Sequence, residues 1–292
     1  MKIILTGSNG FLGNIFLKHL AINNNVQTLN RNNSTYNCNL AYEIPNLDSD
    51  IEIVIHSAGL AHLHKSDNYI FLLNNVIATE NLLKSLEKCT KVKKFIFISS
   101  VSVYGTDYGE KITEDSPLLA NDPYGKSKIK AENIIIEWCS RNDILYTILR
   151  LPLVIGDNPP GNLKNMIKGL KQGFYFNIGS GAAKKSMVVA DDVAKILLKP
   201  INHSIILNLT DGYDPSFYEL SLAISKKYAY NKPKSIPYFF AKLFSLIGDY
   251  FGTNFILNSK KFNKINSTLT FSNLKAKNIL DWKPTKVLDY YN

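Results

Sequence analysis

A tyrosine and a lysine lie four residues apart in the segment PYGKSK, at Tyr124 and Lys128. Because residues at this spacing share one face of an α-helix, their side chains are expected to be neighbours. A tyrosine phenol has an ordinary pKa of about 10, and a nearby lysine cation lowers that pKa by stabilising the phenolate. The pair therefore predicts a device that exchanges a proton with a substrate hydroxyl.

A hydroxyl-rich segment, SSVSVYG, follows the apolar run FIFI, which begins at Phe95. The run predicts a buried strand, and a hydroxyl at its end can hold and orient a substrate oxygen. Ser100 is the candidate for this role. An alcohol that gives up a hydride also gives up a proton, so Ser100, Tyr124 and Lys128 together predict hydride-transfer chemistry.

Three glycines, Gly7, Gly10 and Gly13, stand between the first predicted strand and the first predicted helix in LTGSNGFLG. In this context they permit a tight turn, close approach to a pyrophosphate and close helix–strand packing. The helix opens at Phe11 and Leu12, where unpaired N–H groups can bind phosphate. A glycine turn without a ligand is the alternative, but the flanking strand and helix favour a dinucleotide site.

The second predicted strand ends at Asn30 and Arg31, where dinucleotide-binding proteins contact the adenosine ribose. An acidic residue there would bind the 2′-hydroxyl of NAD, and this chain has none. An arginine suits the 2′-phosphate of NADP, so the sequence favours NADP over NAD. An arginine on a solvated loop is the other interpretation.

Strand-like apolar runs alternate with helix-like segments through the first half of the chain. This rhythm predicts an α/β fold, a doubly wound parallel Rossmann sheet whose strands are buried on both faces. We expect residues 1–155 to form the cofactor-binding domain. Residues 156–292 are expected to form a smaller substrate-binding region, with some segments returning to the main sheet.

The composition narrows the possible partners. The chain has 292 residues, 45% of them hydrophobic, and a formal net charge of +10. The lysines are scattered without a basic stripe, so nucleic-acid binding is not expected. Three widely spaced cysteines give no metal or disulfide pattern and favour a reducing cytoplasm. No signal peptide and no stable membrane insertion are expected; the aromatic segment 236–251 is predicted to be a packed helix or dimer surface rather than a membrane-bound one.

The chain resembles the extended short-chain dehydrogenase/reductases that act on nucleotide sugars. The resemblance is carried by TGSNGFLG, HSAG, NVIATENLL, SSVSVYG, YGKSK and LDWKP, which run nearly end to end. It implies Ser100, rather than Ser99 or Ser102, as the catalytic hydroxyl, and Tyr124 as the acid/base. It also implies that Lys128 holds the nicotinamide ribose, that Ala58 and Gly59 line the cofactor, and that Asn75 supports the site.

The same resemblance bears on the reaction. Val101 and Ser102 replace the acidic pair of the dehydratases, so dehydration is not expected. Leu153 stands where galactose-type 4-epimerases have an asparagine, and RLPLVIG and HSAGLAHLH resemble the 4-keto-reductases of UDP-4-keto-6-deoxy-hexosamines. An NADPH-dependent 4-keto-reductase of bacterial surface polysaccharide synthesis is therefore the first hypothesis. A UDP-hexose or UDP-N-acetylhexosamine 4-epimerase with bound NAD is the alternative, and a non-catalytic cofactor-binding protein is the third.

The resemblance also implies substrate contacts by His62, Asn162 and Lys185, the last two at the nucleotide diphosphate. A solvated lysine is the alternative for Lys185. A homodimer through two long helices, one of which carries Tyr124, is expected. No metal is expected, because the acidic pair Asp191–Asp192 suits a helix N-terminus better than a metal site.

Overall fold

The computed structural model describes residues 1–61, 68–251 and 257–292. The strands are β1 (Lys2–Thr6), β2 (Asn25–Asn30), β3 (Tyr36–Asn37), β4 (Ile53–His56), β5 (Lys94–Ser100), β6 (Gly109–Ile112), β7 (Leu145–Leu151), β8 (Leu153–Ile155), β9 (Phe176–Ile178), β10 (Met187–Val189), β11 (Ile205–Asn208), β12 (Lys234–Ile236) and β13 (Leu269–Phe271). The helices are α1 (Phe11–Leu20), α2 (Asn68–Phe71), α3 (Ala78–Leu86), α4 (Pro123–Arg141), α5 (Gly161–Gln172), α6 (Ala190–Ile196), α7 (Phe217–Lys227), α8 (Tyr238–Tyr250), α9 (Ser259–Asn266), α10 (Leu274–Leu280) and α11 (Val287–Tyr290). A π-helical turn spans Leu72–Ile77, and a 3-10 turn spans Val101–Tyr104.

The main sheet has seven strands in the order β11-β7-β5-β4-β1-β2-β3 within the described residues. Every neighbouring pair in it is parallel. The chain therefore builds outward from β1 to β3 and then returns to the other side of β1 with β4. This reversal of direction leaves a crevice at the carboxyl ends of β1 and β4, where doubly wound sheets bind ligands. The predicted Rossmann α/β fold is confirmed.

Both faces of this sheet are buried, which explains why its strands read as continuous apolar runs. Ile3 of β1 lies in one hydrophobic cluster with Phe16 of α1 and Val193 of α6. Its neighbour Ile4 lies in a second cluster with Leu82 of α3. Alternate residues of a strand point to opposite faces, so each strand supplies both layers of the core.

A smaller lobe surrounds the carboxyl edge of the sheet. Its strands form three parallel pairs, β8 with β10, β9 with β12, and β6 with β13. A separate hydrophobic cluster joins Leu163 of α5, Leu220 of α7 and Val287 of α11. The division of the chain near residue 155 stays a prediction.

Helix α8 differs from a fully packed helix, which was one of its two expected roles. The residues it buries are small, namely Ala241, Ser245 and Gly248. Its large apolar side chains are exposed, including Phe239 at 70% and Tyr250 at 89%. Across the residues that the structure describes, no helix is both long enough and apolar enough to cross a membrane.

Candidate active site

The glycine loop after β1 is shaped so that side chains would not fit. Gly7 has a φ of +73°, and a Cβ there would lie 2.7 Å from the backbone of Ala58. A Cβ on Gly13 would lie 2.1 Å from the carbonyl oxygen of Gly7. The loop is closed by the Gly10 N–H, which donates to the Gly7 carbonyl at 2.9 Å. The glycines thus let the loop, β4 and α1 approach as closely as a dinucleotide cradle requires.

Helix α1 begins directly at this loop. Its N-cap is Gly10, and no side chain caps it with a hydrogen bond. Half-buried Phe11 and Leu12 occupy its first turn. A helix start of this kind offers backbone N–H groups and the positive end of the helix dipole to a phosphate. The loop and helix start therefore fit the pyrophosphate of a dinucleotide.

Asn30 and Arg31 lie at the same edge but have different surroundings. Asn30 is buried, and its Nδ2 donates to Ser8 Oγ at 2.7 Å, which ties the end of β2 to the glycine loop. Arg31 is exposed, and its guanidinium donates to Asn74 Oδ1 at 2.7 Å. Asn30 thus positions the loop, while Arg31 is the residue of the pair with a charge available at the surface.

Asn75 joins the segment after β4 to helix α4. Its Oδ1 accepts from the Leu60 N–H at 2.7 Å, and its Nδ2 donates to Ser127 Oγ at 2.8 Å. Gly59 fits between these elements, because a Cβ there would lie 3.2 Å from Asn75 Oδ1 and 3.3 Å from Lys128 Nζ. Ala58 and Gly59 therefore lie between the glycine loop and the catalytic lysine, in the crevice where the cofactor is predicted.

His56, the last residue of β4, is held in a hydrogen-bond chain of fixed direction. The Thr79 hydroxyl donates to the Asn75 carbonyl at 2.6 Å, so Thr79 Oγ1 accepts from His56 Nε2 at 3.0 Å. His56 Nδ1 then accepts from the Thr6 hydroxyl at 2.7 Å, while Thr6 Oγ1 accepts from the Ala58 N–H at 3.0 Å. This arrangement uses the neutral imidazole and gives each ring nitrogen of His56 a hydrogen-bond partner.

Burial agrees with the neutral form of His56. Its side chain is 1% exposed and stacks on Phe97 with ring centroids 5.5 Å apart. Burial, assisted by the positive charge of Lys128, lowers the pKa of His56 to about 3. His56 is therefore a structural connector between the cofactor crevice and Asn75 rather than a proton donor at neutral pH.

Helix α4 starts where it can bring Tyr124 to the end of β5. Asp122 caps the helix by accepting from the Gly125 N–H at 3.0 Å, and Pro123 occupies its first turn. Gly125 lies so close to the 3-10 turn that a Cβ would be 2.7 Å from the Ser102 carbonyl oxygen. This close approach places Tyr124 beside Ser100.

Of the three predicted catalytic residues, Ser100 and Tyr124 interact directly, and Lys128 lies one turn further along α4. The Ser100 hydroxyl is hydrogen-bonded to the Tyr124 phenol, and Ser100 Oγ also accepts from the Ser102 N–H at 3.1 Å. Lys128 is 6% exposed, and its Nζ donates to the Ile98 carbonyl at 2.9 Å. The lysine cation also lies 4.6 Å from the centre of the Phe97 ring.

The protonation states of this group follow from its burial. Burial raises the pKa of Tyr124 to about 12, and the hydrogen bond with Ser100 opposes the rise. Burial lowers the pKa of Lys128 to about 8, and the negative charge of Glu132 opposes that fall. The free protein therefore holds a neutral phenol beside a lysine that is mostly cationic at pH 7, and additional positive charge at the site would favour the phenolate.

The model of the NAD dependent epimerase/dehydratase family matches residues 3–208. The chain belongs to that family. The predicted resemblance to the extended short-chain dehydrogenase/reductases is confirmed, and the family member is an enzyme.

Two curated relatives match this epimerase/dehydratase nearly end to end. A UDP-glucose 4-epimerase of Vibrio cholerae is 28% identical over 98% of this chain and 92% of its own length. An N-acetyl-α-D-glucosaminyl-diphospho-ditrans,octacis-undecaprenol 4-epimerase of Escherichia coli O157:H7 is 25% identical over 94% of this chain and 88% of its own length. Both relatives are 4-epimerases, so the predicted epimerase alternative fits better than the 4-keto-reductase, which is not confirmed.

Solved structures show the same fold. MoeE5 in complex with UDP-glucose and NAD superposes with a TM-score of 0.77 at 21% identity, over 100% of this chain and 96% of its own. A UDP-N-acetylglucosamine 4-epimerase from Bacillus cereus superposes with a TM-score of 0.75 at 20% identity, over 100% of this chain and 93% of its own. For the family member itself, use of NAD follows from the family, whereas the predicted preference for NADP is not shown.

The predicted substrate residues are more dispersed than the catalytic ones. His62 lies outside the described residues. Asn162 is exposed at the start of α5, and Lys185 is half-buried beside β10. The Lys185 Nζ donates to the Lys264 carbonyl of α9 at 2.9 Å, and burial together with the Lys264 charge lowers its pKa to about 8. The structure therefore does not bring Lys185 to the Tyr124 group through a direct contact.

The sequence did not predict a buried ion pair that lies next to Lys128, one of the predicted catalytic residues. Arg150 of β7 donates to Glu132 of α4 from two nitrogens, at 3.2 and 2.8 Å. Ser99 Oγ donates to the same carboxylate at 2.5 Å, and Arg150 also donates to the Tyr104 hydroxyl at 3.0 Å. An arginine inside the apolar run LYTILRLP was the available signal, because an arginine is rarely fully buried unless it is paired.

Glu132 lies one helical turn beyond Lys128, so this ion pair continues the catalytic helix face. The negative charge of Glu132 favours the charged form of Lys128. Tyr104 donates to Asn208 Oδ1 at 2.8 Å and stacks on Phe271. It therefore belongs to this buried network.

Asp191 and Asp192 are both engaged at the start of α6. Asp191 contacts His19 Nε2 at 3.0 Å, and Asp192 accepts from the Thr285 N–H at 2.6 Å. Over residues 1–61, 68–251 and 257–292, no three histidine, cysteine, aspartate or glutamate side chains are grouped as metal ligands.

Proposed function

We propose that this enzyme inverts the configuration at C4 of a hexose carried on a diphosphate, with NAD as a recycled cofactor. The observation that carries the proposal is the Ser100–Tyr124 hydrogen bond, with buried Lys128 one turn further along α4, at the edge of the sheet that also holds the glycine loop. The near full-length matches to two 4-epimerases support C4 as the reacting carbon.

The chain's residues divide the work as follows. Ser100 holds the C4 oxygen, and Tyr124 takes the proton of the C4 hydroxyl as the carbon is oxidised. Lys128 stabilises the phenolate that Tyr124 must form. The glycine loop and the start of α1 would hold NAD, which would supply reversible hydride transfer; inversion requires that the hydride return to the opposite face of C4. Tyr124 then gives its proton back to the oxygen of the 4-keto sugar, so the reaction has no net oxidation.

The proposal is tested by incubating the purified protein with UDP-glucose or UDP-N-acetylglucosamine and adding no cofactor. We expect the C4 epimer to be detected by proton NMR, and NAD to be released when the protein is denatured. Tyr124→Phe serves as the inactive control. Failure of the wild-type protein to interconvert any C4 epimer pair, with NAD added or not, would overturn the proposal.

A 4-keto-reductase that consumes NADPH is the second candidate. It is favoured by the exposed guanidinium of Arg31 at the end of β2, where a 2′-phosphate would lie. Leu153 and the segment HSAGLAHLH point the same way on family resemblance. Loss of reduced-nicotinamide absorbance only after addition of a UDP-4-keto-6-deoxy-hexosamine would establish this reaction in place of epimerisation.

The carrier of the sugar is the finer part of the proposal. One relative is named for a UDP-linked hexose and the other for an undecaprenyl-diphosphate-linked one, so the hexosyl diphosphate is the shared element. We propose a nucleotide carrier as the first substrate to test, with Asn162 and Lys185 as contacts of the diphosphate. A rate at least tenfold higher on a polyprenyl-diphosphate sugar, roughly 1.4 kcal/mol, would assign the lipid carrier instead.

We also propose a homodimer formed through α3 and α4 and a reducing, cytoplasmic setting. The three cysteines, Cys38, Cys89 and Cys139, are all buried and free, which is consistent with such a setting. Light scattering of the purified protein tests the dimer, and a monomer at micromolar concentration would refute it.

A further inference from the structure

Helix α8 presents its large apolar side chains to the outside of the protein. Six of them form what we call the α8 face, with exposed fractions of 49–89%: Phe239, Phe240, Leu243, Leu246, Ile247 and Tyr250. At about 100° per residue these positions cover roughly a third of the helix circumference. Soluble monomers rarely expose a continuous apolar surface of this kind without a binding role.

The opposite side of α8 holds the helix firmly on the small lobe. Ala241, Ser245 and Gly248 lie against the protein, where small residues allow close packing. Asp249 accepts from the Ser259 N–H at 2.9 Å, and the Tyr238 ring packs edge-on against Phe262 with centroids 5.0 Å apart. The outward direction of the α8 face is therefore built into the packing.

The segment around the α8 face is strongly basic. Residues 232–264 contain six lysines and one acidic residue, Asp249, so this segment carries a formal +5 of the chain's +10. Lys232, Lys234, Lys242 and Lys260 are exposed in it. An anionic surface would be attracted over the whole segment.

The exposed apolar side chains and the surrounding lysines together indicate what binds to the α8 face. A helix that places aromatic and aliphatic side chains outward among exposed lysines suits the boundary between lipid headgroups and acyl chains. The tyrosines at the two ends, Tyr238 and Tyr250, are the residue type that prefers this boundary. A second copy docked on the same face would oppose two segments of like charge, which disfavours that arrangement.

We infer that the α8 face is a docking site for an anionic phospholipid bilayer, on which α8 lies flat. Its 13 residues are too few to span a bilayer, which requires about 20, so the contact is peripheral. The same lobe carries Lys185, whose Nζ donates to the Lys264 carbonyl of α9. Docking would therefore bring the small lobe, rather than the glycine loop, to the lipid surface.

The test is co-sedimentation of the full-length protein with vesicles of phosphatidylcholine containing about a quarter phosphatidylglycerol. The triple variant Phe240→Ser, Leu243→Ser, Ile247→Ser is expected to lower the partition coefficient about tenfold or more. The matched control is Ile22→Ser, Tyr42→Ser, Tyr108→Ser, which removes three apolar side chains that are 70–75% exposed elsewhere. This control is expected to bind as the wild type does.

A variant with fewer lysines distinguishes docking on anionic lipid from non-specific hydrophobic adsorption. Lys232→Gln, Lys234→Gln, Lys260→Gln should weaken binding to the anionic vesicles several-fold, and pure phosphatidylcholine vesicles should bind the wild-type protein weakly. No binding of the wild type to anionic vesicles, or equal binding by the α8 triple variant, overturns the inference. Conversion of a dimer to a monomer by the α8 triple variant without vesicle binding would assign the face to a second copy.

Discussion

The carboxyl edge of the main sheet and the α8 face treat their side chains in opposite ways. At the sheet edge, buried polar groups such as Thr6, His56 and Asn75 have each found hydrogen-bond partners. On α8, large apolar groups such as Phe239 and Tyr250 face outward. The polar groups of the first region already have partners within the fold, whereas the large apolar groups of the second have no protein surface covering them in the part of the chain that the structure describes. The difference indicates that chemistry is fixed within the fold, whereas α8 is shaped for contact with something else.

The strongest way to break the completed region is Tyr124→Phe. We expect kcat/KM to fall by about 10³-fold, because the variant lacks the phenol that is hydrogen-bonded to Ser100. Binding of NAD should change little, since the glycine loop is untouched. Steady-state kinetics and cofactor titration give both values. Unchanged turnover would mean that Tyr124 is not the acid/base.

The substitution Glu132→Gln disrupts the buried ion pair next to the predicted catalytic residues. It leaves the buried guanidinium of Arg150 without its carboxylate, so the free energy of unfolding should fall by about 3 kcal/mol. Losing the negative charge also lets the pKa of Lys128 drop below about 8, so the alkaline limb of the pH–rate profile should move to lower pH. Urea unfolding and a pH profile measure these effects. The exposed residue Glu137 provides a matched control, Glu137→Gln, which should change neither.

His56 gives the completed region a dependence on acid. Its pKa is lowered to about 3 in the folded protein, against about 6.5 when unfolded, so the unfolded state binds the proton first. Stability from this group is present above about pH 6.5 and is lost as the pH falls towards 3, at up to about 1.4 kcal/mol per pH unit. His56→Gln should flatten the difference between unfolding free energies measured at pH 6.5 and pH 5. An unchanged slope would show that His56 is not responsible.

Substitution of Lys185, in the small lobe, is expected to have the smallest effect of the four. If Lys185 contacts the diphosphate, Lys185→Gln should raise KM about threefold to fivefold and leave kcat unchanged, as expected for a half-exposed charge. Lys184, its exposed neighbour, supplies the control Lys184→Gln. Equal KM values for both variants would remove Lys185 from the substrate site.

The sequence was sufficient for the fold because its signals are local, whereas the catalytic roles of Ser100, Tyr124 and Lys128 stay predictions. Alternation of apolar runs predicts the sheet, and the four-residue spacing places Lys128 after Tyr124 on one helix face. The Glu132–Arg150 pair was not predicted, because α4 and β7 come together only in the folded chain. A buried charged residue in a sequence does not indicate which residue of opposite charge it will pair with. For α8 the sequence left a packed helix and a dimer surface open, because an apolar helix shows the same pattern whether its large side chains point inward or outward.

The π-helical turn Leu72–Ile77 determines how the side chains before and after it are rotated relative to each other about the helix axis. On its amino side, Phe71 packs on Tyr124 with ring centroids 5.8 Å apart; on its carboxyl side, Thr79 reaches His56. A π turn holds about one residue more than an α-helical turn, so deleting one residue would make the helix regular but rotate one side by about 100°. The wider turn thus acts as a spacer that keeps both contacts in register, and this helix should tolerate substitution far better than a single-residue deletion.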